Sequence, residues 1–351
     1  MQTAHNSAFL NVPDHFKIVA SFVADLEGFL GRRYGLDLKP LAGEVGLCTK
    51  DFQRSDMRIS LDRVCRLLNL VAARTGDQDL GLAFASVTSL GNTGFFGYGQ
   101  SSAPTLGAML NFKLKFLSLV CDLSDLRLEK DKNRCYIHWS LPSVLIEKSQ
   151  FSLIAMGMLV RLVRENIDDQ WSPLEVQFDF PMNGASQALK ESVCGLVQFG
   201  QSANIVILPP GCLELPNRNR DDRLYQLVLA NLDEQLVKKQ QATSMLDAVI
   251  AEIGYSVTDP DLSLSRTASR LATSERTLQR YLSSQQLSFS DLRDQARREL
   301  SDNLLRSSNV RIYEVAERMG FSTNSAYTRS ARRWYGVPPS MRRRHLMRSS
   351  S

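Results

Sequence analysis

The chain has 351 residues, of which 43% are hydrophobic and 23% are charged. This size and composition exclude a disordered chain and predict two or three domains. Residues Met1–Asn11 do not form a secretion signal, and the longest apolar run, Phe151–Val160, is too short to cross a bilayer. We therefore expect a cytoplasmic protein with reduced thiols and no membrane partner.

Three stretches of the first half have apolar residues at helical spacing: Phe16–Phe29, Leu61–Ala73 and Phe151–Val163. Apolar and polar residues alternate in Leu126–Leu141 around the polar turn Asp131–Arg134, which predicts a β-hairpin. A second alternating run at 174–180 and a β-branched run at 204–208 predict further strands. The first part of the chain is therefore predicted to be an α+β domain.

A loop rich in Pro, Gly and Asn ends this region, and an amphipathic helix is predicted over residues 222–239. Its stripe at i, i+4 spacing consists of Leu224, Val228, Leu232 and Leu236. The helix is either the last core helix or a two-helix dimer contact. The polar stretch Lys238–Ser244 is the best boundary, and it divides the chain into domains 1–240 and 241–351.

Excess positive charge is confined to the second domain. Residues 1–240 contain 25 basic and 26 acidic side chains, whereas residues 241–351 contain 17 and 11. From Leu262 onward all 17 cations are arginines, against 7 acids. Such a balance favours binding to duplex DNA. For the last arginines the alternative is a solvated basic tail, formed by Arg342, Arg343, Arg344 and Arg348.

The second domain contains a helix-turn-helix pattern twice, about 48 residues apart. In the first copy, about 262–283, Leu264, Ala268 and Leu271 share one face, and Ser274 caps the second helix. The outer face of that helix presents Arg276, Gln279 and Arg280. Arg suits guanine and Gln suits adenine, so this face is predicted to contact base edges.

The second copy, about 311–335, has the same arrangement. Gly320 ends its first helix, and Ser322 or Thr323 caps its second helix. When Tyr327, Ala331 and Trp334 face inward, the groove-facing residues are Asn324, Ser325, Thr328 and Arg329. The whole domain is therefore predicted to be all-α.

The segment Phe289–Arg306 between the copies predicts one long connecting helix. At 1.5 Å per residue it would be about 27 Å long, enough to space the two copies by roughly one DNA turn of about 34 Å. Phosphate contacts are predicted for Ser274, Thr277, Ser322, Arg332 and Arg333. The alternative for Arg280 and Arg329 is pairing with surface acids such as Glu275 or Asp302.

The stretches SERTLQR (274–280) and AERMGFSTNSAYTRSARRWYGVPPSMR (316–342) flank this connector. With it they resemble the DNA-binding domain of the AraC/XylS family of bacterial transcription regulators, over about Met245–Met341. The resemblance implies contacts by the same two residue sets that the spacing selects. The sequence departs from the family at Ala331 and Tyr335, where Phe is more usual, and Ala331 would pack its helix less tightly.

The first domain contains MRISLDRVC (57–65), WSPLEVQFDFP (171–181) and VCGLVQFGQSANIVILPPGCLELP (193–216). These stretches are similar to the regulatory domain of the ornithine-utilisation branch of the same family. The resemblance implies an effector-sensing or dimerisation domain. It also implies a homodimer that binds promoter half-sites in the major groove of double-stranded DNA, with RNA polymerase and a small-molecule effector as further partners.

The segment Gly91–Gly99 contains four Gly and three aromatic residues. It either lines an effector pocket or forms a turn under packed aromatic rings, and it lacks the Gly-Lys-Ser/Thr of a phosphate loop. The candidate effector contacts are Phe95, Phe96, Tyr98 and Trp139. For Trp139 the alternative is a buried core residue.

Three functions are compatible with these patterns. The first is a sequence-specific regulator, activator or repressor, controlled by an effector. The second is a regulator whose first domain only dimerises or binds a protein partner. An enzyme with an attached DNA-binding domain is disfavoured because Cys121 and Cys194 have no neighbouring His to act as a base. The six cysteines form no C-x-x-C pair, so we expect no zinc site, no disulfide framework, no cofactor and no catalytic residue.

Overall fold

A computed structural model describes residues 11–123, 125–131, 134–182, 186–306 and 310–348. Within these ranges the chain forms two compact units. The N-terminal unit comprises Lys17–Leu141 and Glu147–Ala242. The C-terminal unit comprises the residues from Thr243 onward together with two short segments, Pro142–Ile146 and the described residues up to Phe16. Most of Met1–Asn11, and positions 132 and 133 of the expected turn, lie outside the described residues.

The N-terminal unit is α+β, as predicted. The chain starts with α1 (Val12–His15), which belongs to the C-terminal unit. The helices of the N-terminal unit follow: α2 (Leu26–Tyr34), α3 (Leu38–Glu44), α4 (Leu61–Thr75), α5 (Leu80–Ala85), α6 (Phe95–Ser102), α7 (Leu106–Val120), α8 (Ser149–Asn166), α9 (Gln187–Ser192) and α10 (Asp222–Ala242).

Two sheets accompany these helices. The small one pairs β1 (Lys17–Val19) with β2 (Arg58–Ser60) in antiparallel register. The larger one consists of β3 (Asp125–Lys130), β4 (Cys135–Ser140), β5 (Glu175–Gln177), β6 (Val197–Gln198) and β7 (Asn204–Leu208). Its order is β3-β4-β7-β5-β6, with a parallel pairing only between β5 and β6. The predicted hairpin is the β3–β4 pair.

The helix predicted over Phe16–Phe29 is wrong in its first half. Residues 17–19 form β1, a 3-10 turn follows at Ala20–Val23, and α2 begins only at Leu26. Phe16, Ile18 and Ala20 are buried while Lys17 and Val19 between them are half-buried, which is the period of a strand. Ile18 pairs with Ile59 of β2, so a long-range partner decided the structure of this segment.

The C-terminal unit is all-α, as predicted. Its remaining helices are α11 (Met245–Ser256), α12 (Leu264–Arg270), α13 (Glu275–Ser284), α14 (Phe289–Arg306), α15 (Ile312–Arg318), α16 (Asn324–Tyr335) and α17 (Pro339–Arg348). The connecting helix α14 has the predicted bounds. Its buried stripe is Phe289, Leu292, Ala296, Leu300 and Leu304.

The segment Val12–Phe16 packs inside the C-terminal unit. The Phe16 ring lies 5.1 Å from the ring of Tyr255 on α11 and is almost fully buried. The backbone N–H of Val12, at the start of α1, donates to a carboxylate oxygen of Glu299 on α14 at 2.9 Å. Burial raises the pKa of the Glu299 carboxyl to about 7, although the hydrogen bonds from Val12 and Gln295 oppose the shift.

Replacing Glu299 with Gln should reduce the pH dependence of the stability of this unit. The Glu299 carboxyl ionises near 4.5 in the unfolded chain and near 7 in the folded one. Its contribution is therefore complete below about pH 4.5 and lost as the pH rises to about 7. From about pH 5 to pH 8, wild type should lose on the order of 1–3 kcal/mol of unfolding free energy that E299Q does not lose.

Urea denaturation followed by far-ultraviolet circular dichroism at both pH values measures this difference. The control is Glu317→Gln, because Glu317 is exposed on α15. If E299Q and wild type lose stability equally between the two pH values, the ionisation of Glu299 is not coupled to folding.

Candidate DNA-binding interface

The first helix-turn-helix consists of α12 and α13. Its turn passes through Ala272, which has a positive φ of 51°. Ser274 then caps α13 by accepting a hydrogen bond from the Thr277 N–H at 3.1 Å. Leu278 and Leu282 are buried beneath α13. The three predicted base contacts, Arg276, Gln279 and Arg280, are all exposed on its outer face.

The second helix-turn-helix consists of α15 and α16. Gly320 has a φ of 74°, and a Cβ there would overlap the carbonyl oxygen of Thr258, so this turn requires glycine. Thr323 caps α16 by accepting from the Ala326 N–H at 3.1 Å. Of the predicted contacts, Asn324, Ser325 and Arg329 are exposed, and Thr328 is half-buried.

The two copies are related by different offsets in their two halves. Ala272 and Gly320, at the turns, are 48 positions apart, whereas the capping residues Ser274 and Thr323 are 49 apart. The second turn is therefore one residue longer. With this offset Arg280 is equivalent to Arg329, and the buried Leu278 is equivalent to Tyr327, which is fully buried.

Two exposed arginines of the recognition helices, Arg280 and Arg329, were candidates for pairing with surface acids. Among the described residues no ion pair involves Arg280 or Arg329, and the Asp302 carboxylate is bound by Arg342 at 2.5 and 2.9 Å. The expected alternative, pairing of Arg280 or Arg329 with Asp302, is thus not observed. Their guanidinium groups remain available to a ligand outside the protein.

The predicted phosphate contacts lie beside these positions. Arg332 and Ser322 are exposed. Arg333 is exposed too, but it donates to Asp294 on α14 at 2.9 Å. The hydroxyls of Ser274 and Thr277 lie 2.8 Å apart at the start of α13. Arg333 would have to share or leave Asp294 in order to bind a phosphate.

Two residues of α14 that the sequence patterns did not reveal, Arg297 and Ser301, fix this helix to its surroundings. Arg297 donates to the carbonyl of Val257, before α12, and its guanidinium lies 5.9 Å from the ring centre of Phe321 in the second motif. The hydroxyls of Ser301 and Tyr327 are hydrogen-bonded at 2.7 Å in the core. Burial raises the pKa of Tyr327 to about 12, so its phenol stays protonated.

Of the four arginines in the solvated basic tail that was one expectation, Arg344 and Arg348 are exposed and the other two are anchored. They belong to α17, where Arg342 binds Asp302 and lies 4.7 Å from the ring centre of Tyr335. Arg343 donates to the carbonyls of Leu305 and Val310. Two of these cations therefore attach the last helix to the unit.

The candidate effector contacts separate into two pairs. Phe96 and Trp139 line an apolar cavity in the N-terminal unit. Phe95 and Tyr98 are 51% and 55% exposed and do not line that cavity. Within Gly91–Gly99, a Cβ on Gly99 would overlap the ring of Phe112, so this glycine lets α6 approach α7.

Two features are absent from the part of the chain that the structure describes. No group of three or more His, Cys, Asp or Glu side chains is arranged to bind a metal ion. No helix combines the length and the apolar character that crossing a membrane requires.

Two helix-turn-helix motifs on a shared helix, preceded by an α+β domain, define a DNA-binding transcription regulator. Residues 35–217, more than half of the chain, match the arabinose-binding N-terminal domain of AraC transcription regulators. Residues 267–345 match a helix-turn-helix domain. The chain therefore belongs to the AraC family of transcription regulators.

Relatives of known sequence match most of the length of this chain. The ornithine utilization regulator of Pseudomonas aeruginosa is 24% identical over 315 residues, which cover 88% of this chain and 91% of that protein. The HTH-type transcriptional regulator VirS of Mycobacterium tuberculosis is 23% identical over 314 residues, covering 88% and 92%. The predicted family resemblance is confirmed.

Among solved structures, the transcriptional regulator CdpR from Pseudomonas aeruginosa is similar to this chain. The match covers 79% of this chain and 90% of that chain, at 20% sequence identity and a TM-score of 0.40.

Opposite substitutions in the two turns should change stability in opposite directions. Gly320→Ala should destabilise the unit by at least about 2 kcal/mol, because it adds a left-handed Ala and an overlap with Thr258. Ala272→Gly should stabilise it by about 1 kcal/mol, since it relieves a positive φ at an exposed position. Urea denaturation of both variants measures these changes, and a destabilised A272G would refute the strain at Ala272.

Arg332→Ala and Arg333→Ala should differ in their effect on binding to duplex DNA of random sequence. Loss of a phosphate contact by Arg332 should lower the slope of log affinity against log salt by about one. Arg333→Ala should lower it less, because Arg333 also binds Asp294 in the free protein. Fluorescence anisotropy titrations at several salt concentrations measure both slopes; equal slopes for wild type and R332A would remove Arg332 from the phosphate contacts.

Proposed function

We propose that this regulator binds specific promoter sites through both recognition helices, α13 and α16, under the control of a small molecule bound in the N-terminal unit. The observation that supports DNA recognition best is the equivalence of Arg280 and Arg329. Both are exposed, both follow a capped helix start, and neither has an ion-pair partner within the described chain.

In this proposal each recognition helix enters the major groove of one half-site. Guanidinium groups of Arg276, Arg280 and Arg329 donate to guanine, and Gln279 bonds to adenine. Asn324, Ser325 and Thr328 complete the second contact. Because that helix has smaller polar side chains around one Arg, its specificity depends more on bridging water and DNA shape.

The connecting helix sets the spacing of the two contacts. Through Arg297, α14 is joined by a hydrogen bond to Val257, in the segment that leads into the first motif, and to the second motif by the contact with Phe321. The two recognition helices then bind as one body to sites about one DNA turn apart. In functional terms residues 241–351 are the DNA-binding domain and residues 1–240 the sensing domain.

Control requires that the effector favours one state of the sensing domain over another. The exposed apolar residues of α10, Leu224, Leu227 and Val237, favour a homodimer contact on this helix. The same observation favours the second candidate, a sensing domain that only dimerises or binds a protein partner. In either case RNA polymerase is the partner through which bound regulator would act on transcription.

Arg280→Ala and Arg329→Ala should each relax one part of the bound DNA sequence. Selection of duplexes from a random pool by wild-type protein first defines the site. Each variant should then bind that site about 1–3 kcal/mol more weakly and lose preference at a different base pair. Repeating the selection and the titrations with both variants measures the effect.

The matched control is Arg74→Ala, which removes the same charge from an exposed position in the N-terminal unit. It should leave the selected sequence unchanged. Enrichment of no sequence by wild type, with binding that depends on salt alone, would disprove the proposed specificity.

A further inference from the structure

The N-terminal unit contains a cavity of about 110 Å³ between its larger sheet and three helices. Its lining comes from β3 and β4 and from α6, α7 and α8. Most of the lining is apolar, and it includes Phe96, Leu110, Leu114, Trp139, Met156 and Leu159. An apolar cavity of this size is suited to an apolar group.

One charged side chain faces this apolar lining. Of the described residues that line the cavity, Lys113 alone is charged. On α7 it lies in the stripe Leu106, Leu110, Lys113 and Leu117, at a position where the helical period requires an apolar residue. Its neighbour Lys115 lies on another face and pairs with Asp233 of α10 at 2.6 Å.

Unlike Lys115, Lys113 is not paired with an acidic side chain in the described part of the chain. Within the described chain no ion pair involves Lys113, and burial lowers the pKa of its ammonium group to about 8. Lys113 is half-buried, and charged amines rarely lie in an apolar lining without a partner, since the loss of hydration is not compensated. At neutral pH most of this ammonium is still charged, so the cavity favours an anion.

A second polar group in the cavity has a hydrogen-bond acceptor without a donor. Gln100 on α6 is 4% exposed, and its amide Nε2 reaches the Phe96 carbonyl at 3.5 Å. Within the described residues, its buried Oε1 has no hydrogen-bond donor. Buried amide oxygens almost always accept a hydrogen bond, so a ligand with a hydroxyl or N–H group would satisfy this one.

These features discriminate between classes of ligand. A sugar carries several hydroxyl groups, for which the three polar side chains Thr93, Gln100 and Lys113 and the thiol of Cys121 are too few in an otherwise apolar lining. A phosphate dianion would meet a single cation among the described lining residues, so one of its two charges would not be compensated. A carboxylate needs one cation, and an attached hydrocarbon chain or aromatic ring matches the remaining surface.

The volume limits how much of a ligand the cavity encloses. An apolar cavity of about 150 Å³ binds benzene, so this one encloses roughly five non-hydrogen atoms. The cavity is partly open, so longer carboxylates such as octanoate and 4-phenylbutyrate can enter it with part of the molecule outside the enclosed volume.

We propose that the cavity binds an organic monocarboxylate with an apolar body, its carboxylate on the ammonium of Lys113 and a hydroxyl substituent, when present, on the Oε1 of Gln100. This inference rests on the proposed role of the N-terminal unit as the sensor of a small molecule. It gives that sensor a ligand class. Helix α7 also joins the cavity to α10, because the ring of Phe112 packs on Tyr225 at 5.7 Å.

The test compares octanoate with 1-octanol, which has the same chain without the charge. Isothermal titration calorimetry on the full chain without DNA, below the concentration at which octanoate aggregates, should show binding of octanoate about tenfold or more tighter than of 1-octanol. Lys113→Met should remove that preference, and Lys113→Arg should keep most of it. The matched control, Lys115→Met, changes the same charge on the same helix and should bind octanoate as wild type does.

Equal affinity of wild type for octanoate and 1-octanol would overturn the proposal, and so would an equal loss in K113M and K115M. The comparison of the two ligands on wild type needs no variant, so it decides the question even if K113M does not fold. If neither octanoate nor 4-phenylbutyrate binds, the ligand class is wrong. Selection of DNA sequences by the same protein then still tests the regulator function independently.

Discussion

The C-terminal unit depends on a single helix that has to complete two hydrophobic cores. The first half of α14 is bound to the backbone before α12, through Arg293 to Leu262 and Arg297 to Val257. Its second half is bound to α16 through Ser301 and Tyr327. A helix is stiff and advances 1.5 Å and 100° per residue. The number of residues between these attachment points therefore fixes both the distance and the rotation between the two recognition helices.

Local periodicity predicted most of this unit because its helices follow one another with short turns. The bounds of α14, the caps at Ser274 and Thr323 and the turn at Gly320 all follow from residues within one helical turn of each other. The positions of the predicted base contacts on exposed faces follow from the same periodicity. Strand β1 and the attachment of α17 were not predictable in this way, because their partners are far away in sequence.

The same distinction applies to the candidate effector site. The aromatic residues of the Gly-rich segment, together with Trp139, were candidates for a pocket, but sequence could not tell which of them face inward. Phe96 and Trp139 line the cavity, while Phe95 and Tyr98 do not. The stronger signal was a charged residue inside an apolar stripe. Lys113 interrupts the apolar stripe of α7 and is half-buried, and a charge in such a stripe marks a position that the packing of the helix does not require.

The packing of Phe16 against α11 has a consequence for the order of events during synthesis. Val12 and its hydrogen-bond partner Glu299 are separated by 287 positions. At typical ribosomal rates of 5–20 residues per second, Val12 is made roughly 15 to 60 s before Glu299 exists. The apolar side chains of Val12–Phe16 can therefore pack in their final place only after the entire N-terminal unit has been synthesised. The C-terminal unit is completed by residues that left the ribosome long before its own helices.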